Sequence, residues 1–210
     1  MSEATRSLHE PFPALARQRD AVSFGIWVFI ASEVLFFGGI FLSYTVYRNL
    51  YPQAFLTAAQ HTDVFYGTLN TAILLTSSLT MAIGERGARD DERRVALIFL
   101  TLTAILGVAF LVVKGFEYDD DLSKGLFPGP GFPLQPAETQ IFWAIYWIAT
   151  GIHAIHLFIG IGVTVVMTLG LYRRRIPPIS PGFEGLALYW HFVDIVWVIL
   201  LPLLYLVGRS

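Results

Sequence analysis

The sequence predicts an all-α fold: a polytopic membrane bundle of five transmembrane helices. Three observations carry this expectation. Hydrophobic residues make up 55% of the chain and charged residues only 14%, where soluble domains carry about 25% charged residues. Five apolar runs are each long enough to cross the hydrocarbon core of a bilayer, which takes about 20 helical residues. The pieces between the runs are too short to form a second core. The longest, about 117–138, reads EYDDDLSKGLFPGPGFPLQPAE, and its Pro and Gly density marks an irregular loop.

Residues 1–23 read as a polar N-terminal tail on the cytoplasmic side. It lacks the short apolar region and small-residue cleavage site of a removable signal. A single domain then covers 24–208. The first span, about 24–46, is FGIWVFIASEVLFFGGIFLSYTV and carries one carboxyl, Glu33. The second, about 64–84, contains Asn70, and the third runs over about 95–116. The fourth, about 139–171, holds His153 and His156 and is long enough to tilt or project beyond the bilayer. The fifth, about 185–208, holds His191 and Asp194. There is no internal repeat or inverted pair of broken helices of the transporter kind, and no ladder of arginines as in a voltage sensor.

The Lys and Arg distribution sets the orientation. One side holds Arg6, Arg17, Arg19, Arg86, Arg89, Arg93, Arg94, Arg173, Arg174 and Arg175; the other holds Arg48, Lys114, Lys124 and Arg209. The richer side is cytoplasmic, which places the N-terminus inside and the C-terminus outside. The net charge of -2 supplies no basic field for nucleic acid. The absence of cysteine excludes disulfides, thiolate metal sites and cysteine nucleophiles.

Ionisable residues within spans are candidate functional groups because their burial in lipid is costly. Glu33 lies about 14 Å into the first span at 1.5 Å per residue, and Asp194 lies at a similar depth on the fifth. His191 precedes Asp194 by one turn. His153 and His156, three residues apart, share a helical face, which Gly160 and Thr164 continue. Ser32, Gly39 and Ser43 form a small-residue stripe beside Glu33, and such stripes let helices approach closely. These patterns predict one inward-facing polar network of Glu33, Asn70, His153, His156, His191 and Asp194. Desolvation disfavours the charged form of a carboxyl, so Glu33 is expected to be buried, protonated and hydrogen-bonded.

Four readings of that network stand side by side. His153, His156 and Glu33 are iron or zinc ligand types, but the paired Glu-x-x-His motifs of a di-iron bundle are missing, so no metal is assigned. Chains of Glu, Asp and His also serve as proton relays. A neutral Glu33 inside a helix cleft suits a lipid or partner-subunit site. A polar core that only fixes helix packing is the fourth, with each interhelical hydrogen bond worth about 0.6 kcal/mol. Asp119, Asp120 and Asp121 read as a solvated charge run, lacking the spacing of a calcium loop. Arg173, Arg174 and Arg175 read as anchors near anionic head groups. Trp143, Trp147, Trp190 and Trp197 read as packing or interfacial residues.

The phrases IWVFIASEVLFFGGIFLSY, LNTAILLTSSLTM, VKGFEY, ATGIHAIHLFIGIG and LYWHFVDIVWVILLPLLYLVG occur in this order over all five spans. Together they resemble subunit III of haem–copper terminal oxidases, the cytochrome c and quinol oxidase family. The resemblance implies an accessory subunit with no haem or copper of its own, those groups lying in partner subunits. It implies catalytic subunit I as the main partner, with subunit II in the same complex, and no catalytic residue here. It also implies structural phospholipid in a cleft between helix groups, with Glu33, Ser32 and Gly39 on the cleft and Arg86, Arg173 and Arg174 holding phosphate.

Residue by residue, the resemblance places the family's membrane carboxylate at Glu33 and its buried histidine pair at His153 and His156. The last-helix signature falls at Trp190, His191 and Asp194, and the acidic position closing the third span at Glu117. Longer members have seven spans; this chain resembles the five-span form, in which another helix or a neighbouring subunit must close the cleft, and a shorter architecture can draw the missing arm from subunit I. The implied function is support of a proton-pumping oxidase in a bacterial-type cytoplasmic membrane. Two alternatives remain: an accessory subunit of a nitric oxide reductase, and a stand-alone proton-coupled transporter.

Overall fold

The structure, a computed structural model, describes residues 15–208, with the side chains of 15–20 and 22 outside the description. The expectations for Arg6 and Arg209 therefore lie outside the described residues, and those for Arg17 and Arg19 concern side chains outside the description. Six helices account for nearly all of the rest: α1 Leu15–Leu50, α2 Pro52–Ala59, α3 Val64–Arg89, α4 Arg93–Ser123, α5 Thr139–Tyr172 and α6 Pro181–Leu204. No strand occurs among the described residues.

Helix boundaries follow local chemistry. Asp63 accepts the Phe65 amide at 2.8 Å and caps α3, as short polar side chains do at helix starts. Ser180 caps α6, and Pro181 fills the first turn, where a missing N–H costs nothing. Between α3 and α4 the chain reverses through Asp91 at φ 60°, a conformation Asp tolerates better than most side chains. Arg93 then reaches across the bundle. Its guanidinium donates to the carbonyls of Leu171 at 2.6 Å and Tyr172 at 2.7 Å, serving the orphan acceptors at the α5 C-terminus. At the other end, Thr62 donates to Leu204 O at 3.2 Å and Tyr44 donates to Leu203 O.

Several boundaries differ from the sequence reading. α1 begins at Leu15, so the end of the polar tail is already helical. α4 continues to Ser123, which turns the start of the expected 117–138 loop into two further helical turns. Leu and Val supply the run up to Lys114, and nothing in KGFEYDDDLS breaks a helix before Gly125 adopts φ 72°. The short α2 was not expected. Its Ala54, Phe55, Ala58 and Ala59 are buried, with Phe55 packed edge-on to Tyr44 and Phe142 at 5.4 and 5.6 Å.

Four helices are long and apolar enough to cross a membrane: α1 from Ser23, α4, α5 and α6. α3, with 26 residues, is not among them. Asn70, Thr71, Thr76, Ser77, Ser78 and Thr80 dilute its apolar content, and most of these face neighbouring helices. Helices α3 to α6 enclose the core, in which Trp143, Trp190, Trp197, Tyr146, Tyr205 and Phe110 are fully buried. α3 and α4 pack backbone to backbone. A Cβ on Gly87 would sit 3.0 Å from the Ala96 nitrogen, and one on Gly107 would meet Ile161 at 2.8 Å.

α1 is different. It packs against α5, α6 and the short α2, and 6% of its most apolar window is buried, against 50% for α6. Trp27, Phe29, Val34, Leu35 and Phe36 are exposed. The Ser32, Gly39 and Ser43 stripe, expected to face inward, is exposed as well. Nothing lies within 4 Å of a Cβ placed on Gly39. The close helix approach that small residues permit occurs at α3 and α4 instead.

Candidate functional site

The polar residues within the bundle form separate groups. The first joins α1 to α5: Glu33 Oε2 lies 3.0 Å from His156 Nε2. Both side chains are 17% exposed, so Glu33 is partly covered instead of buried. Phe37 packs edge-on to the imidazole at 5.4 Å, and Tyr189 of α6 donates to the His156 carbonyl at 2.8 Å. The other ring nitrogen, Nδ1, sits 2.9 Å from the Ile152 carbonyl. A carbonyl only accepts, so Nδ1 carries a hydrogen. The 3.0 Å contact then needs one more proton, on Glu33 or on Nε2. In either placement the pair is neutral overall, which suits a group at the edge of an apolar environment.

The second group is a seam between α3 and α6. Trp190 Nε1 donates to Ser77 Oγ at 3.1 Å, His191 Nδ1 meets Ser78 Oγ at 2.8 Å, and Trp197 Nε1 donates to Thr71 Oγ1 at 3.0 Å. Two phrases far apart in the sequence, LNTAILLTSSLTM and YWHFVDIVW, are thus two sides of one contact. The serine and threonine hydroxyls match the indole and imidazole nitrogens at helical spacing. Asp194 is buried beside this seam and faces Ser78, but neither of its oxygens has a partner at hydrogen-bonding geometry.

His153 does not join His156. Positions three apart on a helix differ by about 60° in direction, which here separates two environments. His156 points to α1, while His153 is fully buried against the rings of Phe110 and Trp197, at 5.5 and 5.1 Å. Neither nitrogen of His153 has a hydrogen-bond partner, and neither does the side chain of buried Asn70. The single network expected of Glu33, Asn70, His153, His156, His191 and Asp194 therefore resolves into a pair, a seam and isolated buried groups. Among the described residues, no three His, Asp or Glu side chains gather as a metal site would require.

A third polar group was missed by sequence reasoning. Lys114, Glu117 and Asp121 of α4 are buried together with Tyr146 of α5 and Tyr205 just after α6. Lys114 Nζ donates to Tyr146 at 2.9 Å and Tyr205 at 2.8 Å and pairs with Glu117 Oε2 at 3.1 Å. The rings of Tyr146 and Tyr118 lie 4.6 and 4.8 Å from the ammonium, adding cation–π attraction. Of the three aspartates expected in solvent, Asp119 is exposed, Asp120 pairs with Lys124, and Asp121 is buried. The spacing of 114, 117 and 121 is one helical face, a signal hidden by ending the helix near Phe116.

The residues expected to hold lipid phosphate lie on the surface. Arg86 is exposed and 3.5 Å from Asp90; Arg173 and Arg174 are exposed where α5 ends. Ser32 is exposed with its hydroxyl on the Phe29 carbonyl at 2.6 Å.

Comparison with known proteins converges on one family. The family described as cytochrome c oxidase subunit III matches residues 15–209. A cytochrome c oxidase subunit 3 of Thermostichus vulcanus is 33% identical, over 88% of this chain and 87% of that protein. One from Corynebacterium diphtheriae is 30% identical, over 92% of both chains. A heme-copper oxidase subunit I+III of Aeropyrum pernix is 34% identical over 95% of this chain, which spans 24% of that longer protein. With the family model covering residues 15–209 and relatives of 30% to 33% identity matched over most of both chains, the chain belongs to the cytochrome c oxidase subunit III family.

Proposed function

We propose that this chain supports the catalytic subunit I of a proton-pumping oxidase from the side, taking no part in oxygen chemistry, and holds phospholipid against α1. As a member of the subunit III family it is an accessory subunit of a haem–copper oxidase and an integral membrane protein. The proposed topology has five spans, with α3 crossing among its more apolar neighbours. The Arg-rich end, with Arg86, Arg89, Arg93, Arg94 and Arg173 to Arg175, lies in the cytoplasm of a bacterial-type inner membrane. Haem and copper belong to the partner subunits, with subunit II in the same assembly.

The observation that carries this reading is the exposed apolar side of α1 around the Glu33–His156 pair. Such a face needs lipid or another protein beside it. The pair puts a neutral polar link at mid-helix, where a free charge is costly. Ser32 and Gly39 open room for acyl chains beside it, and Arg173, Arg174 and Arg86 offer guanidinium to phosphate at one end. The Aeropyrum pernix relative, whose name joins subunits I and III, supports a neighbouring subunit I.

The test is lipid analysis of the purified complex by native mass spectrometry. Retained phospholipid should fall in Arg173→Ala/Arg174→Ala and when Gly39→Leu occupies the open space beside α1. Equal lipid retention in all variants would contradict the lipid assignment.

A further inference from the structure

The buried group around Lys114 has a proton count that its geometry fixes. Lys114 donates to Tyr146 and Tyr205, and its ammonium lies 3.1 Å from Glu117 Oε2, an oxygen with no partner at hydrogen-bonding geometry. Tyr205 passes its own hydrogen to Glu117 Oε1 at 2.7 Å. Tyr146 also accepts from Lys114, yet its hydroxyl lies 2.8 Å from Glu117 Oε1 and 2.7 Å from Asp121 Oδ2. A phenol has one hydrogen to give. With both carboxyls ionised, one of these short O···O contacts would have no hydrogen between the atoms.

One added proton removes the conflict. Placed on Asp121, it is donated to Tyr146 Oη, and Tyr146 gives its own hydrogen to Glu117. Each short contact of the Tyr146 hydroxyl is then a hydrogen bond, and the phenol uses its full capacity of one donor and two acceptors. The charges of Lys114 and Glu117 cancel, so the group is neutral, as a buried cluster should be. Glu117 is the carboxyl held by the ammonium, which leaves the proton to Asp121. The ionisable groups around Asp121 are Glu117, Lys114 and Tyr118 on its own helix, Tyr146 on α5, Tyr205 after α6, and Lys124 just beyond α4. Asp121 lies in the last turn of α4, next to exposed Leu122, Ser123 and Lys124.

We propose that Lys114, Glu117, Asp121, Tyr146 and Tyr205 form a buried proton-binding site at the end of the bundle opposite the Arg-rich end, with one exchangeable proton on Asp121. Release sends that proton from Asp121 to water past the helix end, and the Tyr146 hydroxyl turns to the new carboxylate. The site passes from neutral to a single negative charge.

Infrared difference spectroscopy on the intact oxidase complex tests this. Wild type minus Asp121→Asn should show a protonated carboxyl stretch at neutral pH that shifts in heavy water and gives way to carboxylate bands as pH rises. A difference containing only carboxylate bands at neutral pH would overturn the proposal. Glu117→Gln makes Asp121 the counter-ion of Lys114, so that variant should lose the same acid band and gain an Asp carboxylate; retention of the band would overturn it too. If Asp121→Asn does not assemble, Tyr146→Phe decides. Loss of the phenol acceptor must move the acid band, and an unmoved spectrum counts against the site.

Discussion

Glu33 Oε2 and His156 Nε2 stand 3.0 Å apart, although 123 residues separate them in sequence. This contact links α1, exposed along most of its length, to the helices that form the core. It is also a pair whose hydrogen-bond geometry requires one proton between the two groups.

Removing one partner is expected to cost more than removing both. His156→Ala leaves Glu33 facing an apolar gap, whereas Glu33→Gln keeps a donor for Nε2. The coupling in a double-mutant cycle should fall between about 0.6 and 1.7 kcal/mol, the range of interhelical hydrogen bonds in membranes. Unfolding of the complex in mixed micelles measures it, and zero coupling would remove the pair as a structural link.

The α3–α6 seam should separate packing from hydrogen bonding. Trp190→Ala deletes a fully buried indole and should cost about 3–5 kcal/mol. Ser77→Ala leaves the indole N–H without its acceptor and should cost about 1–3 kcal/mol. Ser77→Thr keeps the hydroxyl and should restore most of that loss. Thermal unfolding of the three variants gives the order.

Glycine substitutions should distinguish the two kinds of helix contact. Gly87→Ala forces α3 away from the Ala96 backbone and should destabilise by about 1–3 kcal/mol. Gly39→Ala meets nothing within 4 Å inside the chain and should leave stability unchanged. An equal loss at both positions would show that α1 is covered more tightly than its surroundings here indicate.

Lys114 anchors the buried charges. Lys114→Met leaves Glu117 without its counter-ion and should cost about 3–5 kcal/mol, as breaking a buried pair does. Adding Glu117→Gln to Lys114→Met removes the stranded charge and should recover part of that. Assembly yield and thermal stability of the complex report both. A single variant as stable as wild type would show that the ammonium contributes nothing.

Much of this architecture was legible in the sequence, and the misses have physical causes. Apolar run lengths located five of the six helices, because hydrocarbon thickness sets a minimum length. The short α2 escaped notice because eight residues carry little periodic signal. Glu33 and His156 were both marked as membrane-buried groups, yet periodicity gives the direction of a side chain on its own helix and not its partner. His153 shows this limit: a 60° offset from His156 was enough to send it to another interface. The inward stripe of Ser32, Gly39 and Ser43 failed because small residues permit close approach without compelling it. Asp121 was lost because a run of aspartates reads as solvated, and its partner, Tyr146, lies 25 residues further along the chain.

The central claim is that this chain acts as an accessory subunit beside a haem-containing catalytic subunit. Purification through a tag on this chain, from native membranes in mild detergent, tests it most directly when followed by an optical spectrum and subunit analysis. The account predicts a complex in which haem absorbance and subunit I accompany the chain in fixed ratio. Recovery of the chain alone, without haem, in a form that moves a substrate across vesicles would contradict it.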